Sequence, residues 1–256
     1  MQQVARSLFF YTTLFLSTIF LGILAILTVF ITRRGDLAHL YGRLWSNVNL
    51  WAAGVRVIVR GLENIDPKSS YVYASNHQGW FDIFSIMGKL PVQFRWLAKE
   101  ELYRIPILGQ AMRLIGYIPI NRSNHRKAFE SLMRAAERVR EGVSIVIFPE
   151  GTRSPDGTLQ EFKGGGFVLA IISQRPIVPI SLSGSYRILS KKGRRWINPG
   201  TVIMTIGKPI ETKGLSMADR GKLMIQVREA IRENLTPSEG GVLSQIVDEP
   251  GSLARC

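Results

Sequence analysis

The chain has 256 residues, of which 46% are apolar, so it can bury the core of one domain or two. Its 33 basic and 19 acidic residues give a net charge of +14, which favours an anionic partner such as phosphate, nucleic acid or a membrane surface. The only cysteine is Cys256, which excludes an intrachain disulfide and the cysteine-based zinc sites.

The first predicted element is a membrane-anchoring helix over residues 7–32, which carry no charge. About 20 apolar residues are enough to cross a bilayer as a helix. A cleaved signal peptide fits less well, because its apolar region has about 7–15 residues and no clear cleavage site precedes Arg33. Whether the helix crosses the membrane or lies in one leaflet stays open. Arg33, Arg34 and Arg43 follow it and only Arg6 precedes it, which predicts that the rest of the chain stays on the cytoplasmic face of the cell membrane.

A second, amphipathic helix is predicted over residues 36–53. Its apolar residues recur at spacings of three and four, as Leu40, Tyr41, Leu44, Trp45, Val48 and Trp51. Such a helix either packs on the first one or lies at the membrane interface, where tryptophan is favoured. We therefore predict an N-terminal membrane anchor over residues 1–54.

An α/β domain is predicted over residues 55–236. Two segments have the apolar period of a helix, 126–141 and 215–234. Short apolar segments bounded mostly by Gly, Pro, Asn or Ser predict strands at 55–59, 71–74, 94–97, 117–120, 143–148, 177–182 and 202–206. The alternation of strands with helices predicts a mostly parallel sheet flanked by helices. Residues 237–256 have little period and are predicted to form a flexible tail.

A histidine and an aspartate five residues apart follow the predicted strand at 71–74. They belong to the segment Asn76-His77-Gln78-Gly79-Trp80-Phe81-Asp82, where a helix begins. Across such a turn Asp82 can accept a hydrogen bond from one ring nitrogen of His77, and the other nitrogen can take a proton from a hydroxyl. On the spacing alone, a histidine that caps the helix and an aspartate on the surface explain the pattern equally well.

A second polar segment, Phe148-Pro149-Glu150-Gly151-Thr152-Arg153-Ser154, follows the predicted strand at 143–148. The ends of strands are where α/β proteins bind ligands. Gly151 lets backbone amides come close to a ligand, and the guanidinium of Arg153 suits a phosphate. An ordinary turn would explain the glycine and the proline, but not the glutamate and arginine on either side of the glycine.

Other catalytic motifs are missing from the sequence. It contains no G-x-x-x-x-G-K-[ST] or G-x-G-x-x-G phosphate loop and no G-x-S-x-G serine nucleophile. It also lacks H-E-x-x-H, and its three histidines are scattered, so no metal site is expected.

Together these segments resemble the glycerolipid acyltransferase family, in particular its 1-acylglycerol-3-phosphate acyltransferases. Asn76, His77 and Asp82 match the family's N-H-x4-D motif, and residues 148–154 match its F-P-E-G-T-R-S motif in full. Residues 178–180 resemble the fourth block, and the second block is matched by Lys99, Glu100, Leu102, Ile105, Pro106, Gly109, Gly116, Ile120 and Arg122. The likeness covers roughly residues 55–210. It departs at one position, where Gly164 follows Phe162-Lys163 and family members often have a second basic residue.

The resemblance implies a role for each site residue. His77 would act as general base on the sn-2 hydroxyl of lysophosphatidate, which attacks an acyl thioester directly, and Asp82 would hold the imidazole tautomer. The acceptor's phosphate would be bound by residues from two blocks, Lys99, Arg122, Glu150, Gly151, Thr152 and Arg153. For Arg122 a surface position in a tight turn is the alternative. The donor would be acyl-CoA or acyl carrier protein, with no cofactor besides it and with membrane lipids as further partners.

Two other interpretations stay open. The same chemistry on another lysolipid acceptor, a lysophospholipid or a lyso-aminolipid, would relax the need for Arg153 and Lys99. A catalytically silent protein that binds membranes or nucleic acid through its charge is the third. The basic segment 126–140 mixes Glu130 and Glu137 among its arginines, as a solvated helix face does, and lacks the aromatic platform that single strands stack on. Nucleic acid is therefore not an expected partner.

Overall fold

The structure is a computed structural model that describes residues 2–189 and 196–242. Within these ranges the strands are β1 (Val55–Arg60), β2 (Val72–Ser75), β3 (Phe94–Lys99), β4 (Ile118–Ile120), β5 (Ser144–Ile147), β6 (Ile177–Ser183) and β7 (Gly200–Ile206). The helices are α1 (Gln2–Thr32), α2 (Gly35–Ala53), α3 (Phe81–Lys89), α4 (Leu108–Ile115), α5 (His125–Arg140), α6 (Gly165–Ser173), α7 (Ser185–Ile188) and α8 (Arg220–Arg232). Short 3-10 turns lie at Leu62–Asn64, Glu100–Arg104, Met217–Asp219 and Pro237–Glu239.

All seven predicted strands pair in one sheet, in the order β1-β7-β6-β2-β5-β3-β4. Neighbouring strands are parallel except β6 and β7, which are antiparallel. The prediction of a mostly parallel sheet is therefore confirmed. Strands β2 to β6 all end at the same edge, which we call the carboxyl edge. Because β7 runs the opposite way, its first residues also lie at this edge.

Helices cover both faces of the sheet, so its central strands are hydrophobic on both sides. Strands β2, β5 and β6 are buried at every residue. Side chains alternate between two clusters, since Tyr73 belongs to one and Val72 and Ala74 belong to the other. This is the burial expected of parallel strands with helices on each face.

The helix predicted at 126–141 is α5, and its N-cap is Asn124, whose Oδ1 accepts from the Lys127 amide at 3.0 Å. The segment predicted as a helix at 215–234 is divided into a 3-10 turn and α8. The sequence analysis did not predict α4 or α6. Helix α6 is almost entirely apolar, so it lacks the alternation of polar and apolar faces that identifies an amphipathic helix.

The two N-terminal helices are present, and they pack on each other through polar contacts. The Trp45 indole donates to Thr18 Oγ1 at 2.9 Å, and the Asn49 amide donates to Ser17 Oγ at 3.1 Å. On the outside, both helices expose large apolar side chains, including Leu8, Phe15, Leu16, Phe20, Phe30, Ile31, Leu40, Leu44 and Trp51. Part of the apolar stripe predicted in α2 therefore faces away from the protein.

Helix α1 also packs on the sheet domain. Phe10 has no exposed surface and lies 5.5 Å, between ring centroids, from Phe81 of α3. Ser7 Oγ accepts from the amide of Ile197 at 2.8 Å. Further along, Gly22 lies so close to the Ile107 side chain that a Cβ there would stand 2.6 Å from it. Much of α1 is therefore fixed along the domain.

The start of the predicted flexible tail is ordered against the domain. Pro237–Glu239 forms a 3-10 turn, and the Glu239 side chain is only 5% exposed. The amide of Gly241 donates to the Thr236 carbonyl at 2.9 Å. The prediction is therefore wrong for residues 237–242, because a buried carboxylate ties them down. Residues 243–256 lie outside the described residues.

Candidate active site

His77 and Asp82 meet at the carboxyl edge, between the end of β2 and the first turn of α3. His77 Nδ1 lies 2.7 Å from Asp82 Oδ2. The same oxygen accepts from the backbone amides of Gln78 at 2.6 Å and Gly79 at 2.8 Å. The contact predicted from the five-residue spacing is confirmed. Asp82 has no exposed surface, so the alternative of a surface aspartate is wrong.

The His77 ring is held between its carboxylate partner and an aromatic stack. Its centroid lies 3.9 Å from that of Phe148, with 13° between the planes, and Phe148 in turn stacks on Trp96 at 5.5 Å. The His77 side chain is 12% exposed. Because Asp82 engages Nδ1, the Nε2 atom is the ring nitrogen left to accept a proton. The imidazole is therefore held on a rigid support.

The second oxygen of Asp82 has a partner that the sequence analysis missed. The hydroxyl of Ser185, at the start of α7, donates to Asp82 Oδ1. The side chain of Asn76 joins β2 to β6. Its Nδ2 donates to the Leu182 carbonyl at 2.8 Å, and its Oδ1 accepts from the Leu182 backbone amide at 2.7 Å. In the sequence, Ser185 could have been singled out only by its place in the segment Ser183-Gly184-Ser185, which follows the strand predicted at 177–182.

Glu150 fastens the second polar segment to His77. It is 3% exposed, and its two oxygens accept from the amides of His77 at 2.7 Å and Gln160 at 3.3 Å. The amide of Ser154 donates back to the His77 carbonyl at 2.7 Å. Burial raises the pKa of Glu150 to about 8, and the two amide donors act in the opposite direction. Glu150 therefore contacts protein backbone and shapes the loop.

The loop turns sharply at Gly151 and presents Arg153 towards the edge. Gly151 has φ 75°, a left-handed conformation that favours glycine at this turn. Thr152 is exposed. The Arg153 guanidinium lies 5.1 Å from the centroid of the half-exposed Trp80 ring, a cation–π contact. Burial lowers the pKa of Arg153, whereas the charge of Asp82 raises it.

The two remaining predicted residues lie at the same edge, further from His77. Lys99 ends β3 and is 54% exposed, with Nζ 3.0 Å from Glu101 Oε1. Arg122 is exposed in the turn after β4. Across the sheet the order is β2, β5, β3, β4, so the residues that follow these strands form a row about 14 Å long. Arg153 is adjacent to the base, and Arg122 is at the far end.

Metal ligands are not clustered in the part of the chain that the structure describes. Within residues 2–189 and 196–242, no group of three or more His, Cys, Asp or Glu side chains could hold an ion. His39 is buried in α2, where its Nδ1 lies 3.2 Å from the Tyr117 hydroxyl, far along the chain from the site.

Comparison with known sequences identifies the family. A sequence profile described as Acyltransferase matches residues 56–183. The 1-acyl-sn-glycerol-3-phosphate acyltransferase alpha of Mus musculus is 35% identical over 207 residues, which are 79% of this chain and 72% of the mouse protein. The chloroplastic LPAT1 of Arabidopsis thaliana is 34% identical over 211 residues, 80% of this chain. The chain spans 59% of that protein's length and 50% of the length of a similar Brassica napus protein, chloroplastic BAT2.

A solved structure has the same fold. It is the 1-acyl-sn-glycerophosphate (LPA) acyltransferase PlsC from Thermotoga maritima, with a TM-score of 0.76 and 29% sequence identity. The match covers 90% of this chain and 93% of that one. With the profile match and the mouse relative, the chain belongs to the acyltransferase family.

Proposed function

We propose that the chain transfers a fatty acyl group from acyl-CoA or acyl carrier protein to the sn-2 hydroxyl of 1-acylglycerol 3-phosphate, giving phosphatidate. The observation that carries this proposal is the His77–Asp82 pair, fixed beside the Arg153 loop. The mouse and Arabidopsis relatives bear the name of this activity.

In the proposed reaction His77 acts as a general base. Nε2 takes the proton of the sn-2 hydroxyl while its oxygen attacks the thioester carbonyl, and the C–S bond breaks to release the thiol. The proton held by the imidazole then passes to the departing sulfur, so the enzyme is unchanged. Asp82 holds the Nδ1-protonated tautomer and stabilises the imidazolium. Transfer is direct, and no metal or cofactor besides the acyl thioester is required.

The basic residues at the carboxyl edge would bind the acceptor's phosphate. Arg153 is closest along the edge to the base, and its guanidinium can make two parallel hydrogen bonds to phosphate oxygens. Lys99 and Arg122 continue the row with positive charge. Gly151 and Thr152 form the turn before Arg153, and Glu150 holds that turn to His77.

The helix pair would place the site at a membrane surface, with the domain on the cytoplasmic face of the cell membrane. Helix α1 is long and apolar enough to span a bilayer, yet Ser7, Phe10 and Gly22 fix it along the domain. A spanning helix would draw those contacts into lipid. We therefore place α1 and the exposed face of α2 in one leaflet, where both lipid substrate and product reside.

The test is an assay of the purified full-length chain with 1-acylglycerol 3-phosphate and either acyl-CoA or acyl carrier protein. Phosphatidate should form, and a chelator should leave the rate unchanged. Lysophosphatidylcholine, whose phosphate is a diester, is the matched acceptor and should react at least about tenfold more slowly, because it offers fewer phosphate oxygens to Arg153. Faster acylation of this competitor would replace the proposal by the lysophospholipid alternative, and no acylation of either would refute it.

A further inference from the structure

We propose that Ser185 is a positioning residue for the His77–Asp82 pair, and that Glu239 holds the turn that carries Ser185. The inference rests on the proposed function for its kinetic test, and it assigns a role to residues outside the matched family profile, which ends at residue 183.

Asp82 accepts hydrogen bonds through both of its carboxylate oxygens. One oxygen, Oδ2, takes the His77 ring and the amides of Gln78 and Gly79, all from its own short segment. The other oxygen, Oδ1, takes the hydroxyl of Ser185, which lies 103 residues further along the chain. Rotation about the Cβ–Cγ bond moves both oxygens of a carboxylate together. A donor on the second oxygen from another element fixes the plane of the group, and with it the hydrogen bond to His77.

Ser185 has no exposed surface and follows a turn that requires glycine. Gly184, the residue before it, has φ 93°, and a Cβ there would lie 2.5 Å from the carbonyl oxygen of Thr201 in β7. Only glycine meets both conditions, so the chain leaves β6 in a fixed direction. The Ser185 hydroxyl has a longer alternative acceptor, Gln78 Oε1 at 3.5 Å, so the contact with Asp82 is the favoured one.

The buried carboxylate of Glu239 binds the turn that precedes Ser185. Its oxygens accept from the Ser183 hydroxyl at 2.5 Å and from the Gly184 amide at 2.8 Å. Its backbone carbonyl accepts from the amide of Leu159 at 2.9 Å, in the loop that follows Arg153. The residue thus connects the turn behind Asp82 with the loop that carries the basic side chain.

The kinetic test compares two buried serines near the end of the chain's β6. Ser185→Ala removes the donor to Asp82 without adding volume, and kcat should fall about tenfold or more while KM for the acceptor stays the same. Ser181→Ala is the matched control, because Ser181 is 2% exposed and donates to the Ile231 carbonyl at 2.9 Å, on the far side from Asp82. The control should lose stability but keep its kcat. Equal kcat values for the two variants would overturn the proposal.

Glu239 is tested by a pair of substitutions in the full-length chain. Glu239→Ala removes both carboxylate oxygens and should lower kcat by about the same factor as Ser185→Ala. The double variant should have a kcat little lower than that of either single variant, because Glu239 and Ser185 act in one chain of contacts. Glu239→Gln keeps one oxygen for Gly184 and should restore part of the loss. Multiplied losses in the double variant would refute the link from Glu239 to Ser185.

A substrate-free measurement separates this inference from the proposed function. The ¹⁵N resonances of the imidazole report which ring nitrogen carries the proton, and a His77→Gln variant assigns the His77 signals among the three histidines. The wild-type protein and Ser181→Ala should hold the Nδ1-protonated form, whereas Ser185→Ala should show a mixture. If the wild-type chain acylates no lysolipid but this difference is present, only the proposed function fails. If the wild-type chain acylates a lysolipid and His77→Ala does not, the proposed function holds. If Ser185→Ala then keeps both the wild-type kcat and the Nδ1-protonated form, only the positioning role fails.

Discussion

The helix pair and the sheet domain distribute their side chains in opposite ways. In the sheet domain most of the large apolar residues are inside, and Tyr73 and Phe167 have no exposed surface. In α1 and α2, Asn49 is fully buried, whereas Phe20 is 63% exposed and Trp51 is 72% exposed. The same chain therefore has one region built for water and one with its apolar surface outward.

This difference shows why the site can be apolar on one side and charged on the other. Phe10 of the helix pair packs on Phe81, in the helix whose first turn carries Asp82. The His77–Asp82 pair thus lies between the exposed apolar helices and the basic row at the carboxyl edge. A lysophospholipid with its acyl chain in a membrane and its phosphate in water has the same division.

The largest expected effect is at the edge of the sheet domain. His77→Ala should lower kcat about a hundredfold or more, because a general base contributes at least that factor, with little change in acceptor KM. Asp82→Asn should cause similar damage by favouring the wrong tautomer. The measurement is steady-state phosphatidate formation. Retention of half the activity by His77→Ala would contradict the mechanism.

The contrast between the two regions is tested directly by phenylalanines of α1 that differ in burial. Phe10→Ala should lower the free energy of unfolding by about 3 kcal/mol or more in detergent, since it leaves a cavity against Phe81. Phe15→Ser with Phe20→Ser, both exposed, should leave that stability nearly unchanged but weaken retention on phospholipid vesicles. Denaturant unfolding and vesicle flotation measure the two effects. If the exposed pair destabilised the protein and left flotation intact, the helix pair would not face lipid.

The sequence predicted the parts of the fold that depend on local pattern. All seven strands were found from short apolar segments, and α5 from its single apolar face. Helix α6 was missed because it is apolar all round. The antiparallel direction of β7 was not predicted, because strand order and direction depend on contacts between distant residues. Helix α1 was predicted from its length and lack of charge, and α2 from apolar residues at spacings of three and four. That Ser17 and Asn49 would face inward was not predicted.

The candidate site divides in the same way. The contact between His77 and Asp82 was predictable, because five residues across one turn bring the two groups together. The contact of Asp82 with Ser185 joins residues 103 apart, and no local spacing indicates it. Glu150 illustrates the same limit. Its place beside Arg153 suggested a substrate contact, but its burial against the His77 amide follows from the pairing of β2 with β5.

A smaller effect is expected at the phosphate end of the site. Arg153→Ala should raise the acceptor's KM about tenfold and leave the donor's KM nearly unchanged, because a charge-assisted, bidentate contact is lost. Arg126→Ala is the matched control, since Arg126 lies on α5 in an exposed ion pair with Glu130 and should have no effect. Initial rates with each substrate varied separately provide the measurement. A rise in donor KM alone would assign Arg153 to the donor's phosphates.

The smallest expected effect concerns Glu150 and pH. Burial raises its pKa to about 8 from the ordinary 4.5, so between these values the folded chain holds a proton that the unfolded chain has lost. Raising the pH across this window therefore lowers the free energy of unfolding, by at least about 1 kcal/mol, and the loss levels off above pH 8. Glu150→Gln cannot ionise, so its stability relative to wild type should rise between pH 5.5 and 8.5. The exposed Glu137→Gln should show no such trend. Denaturant unfolding at several pH values measures these differences. A constant difference between wild type and Glu150→Gln would mean that the amides of His77 and Gln160 keep the carboxylate ionised in spite of its burial, and the loop would then be held by a buried charge.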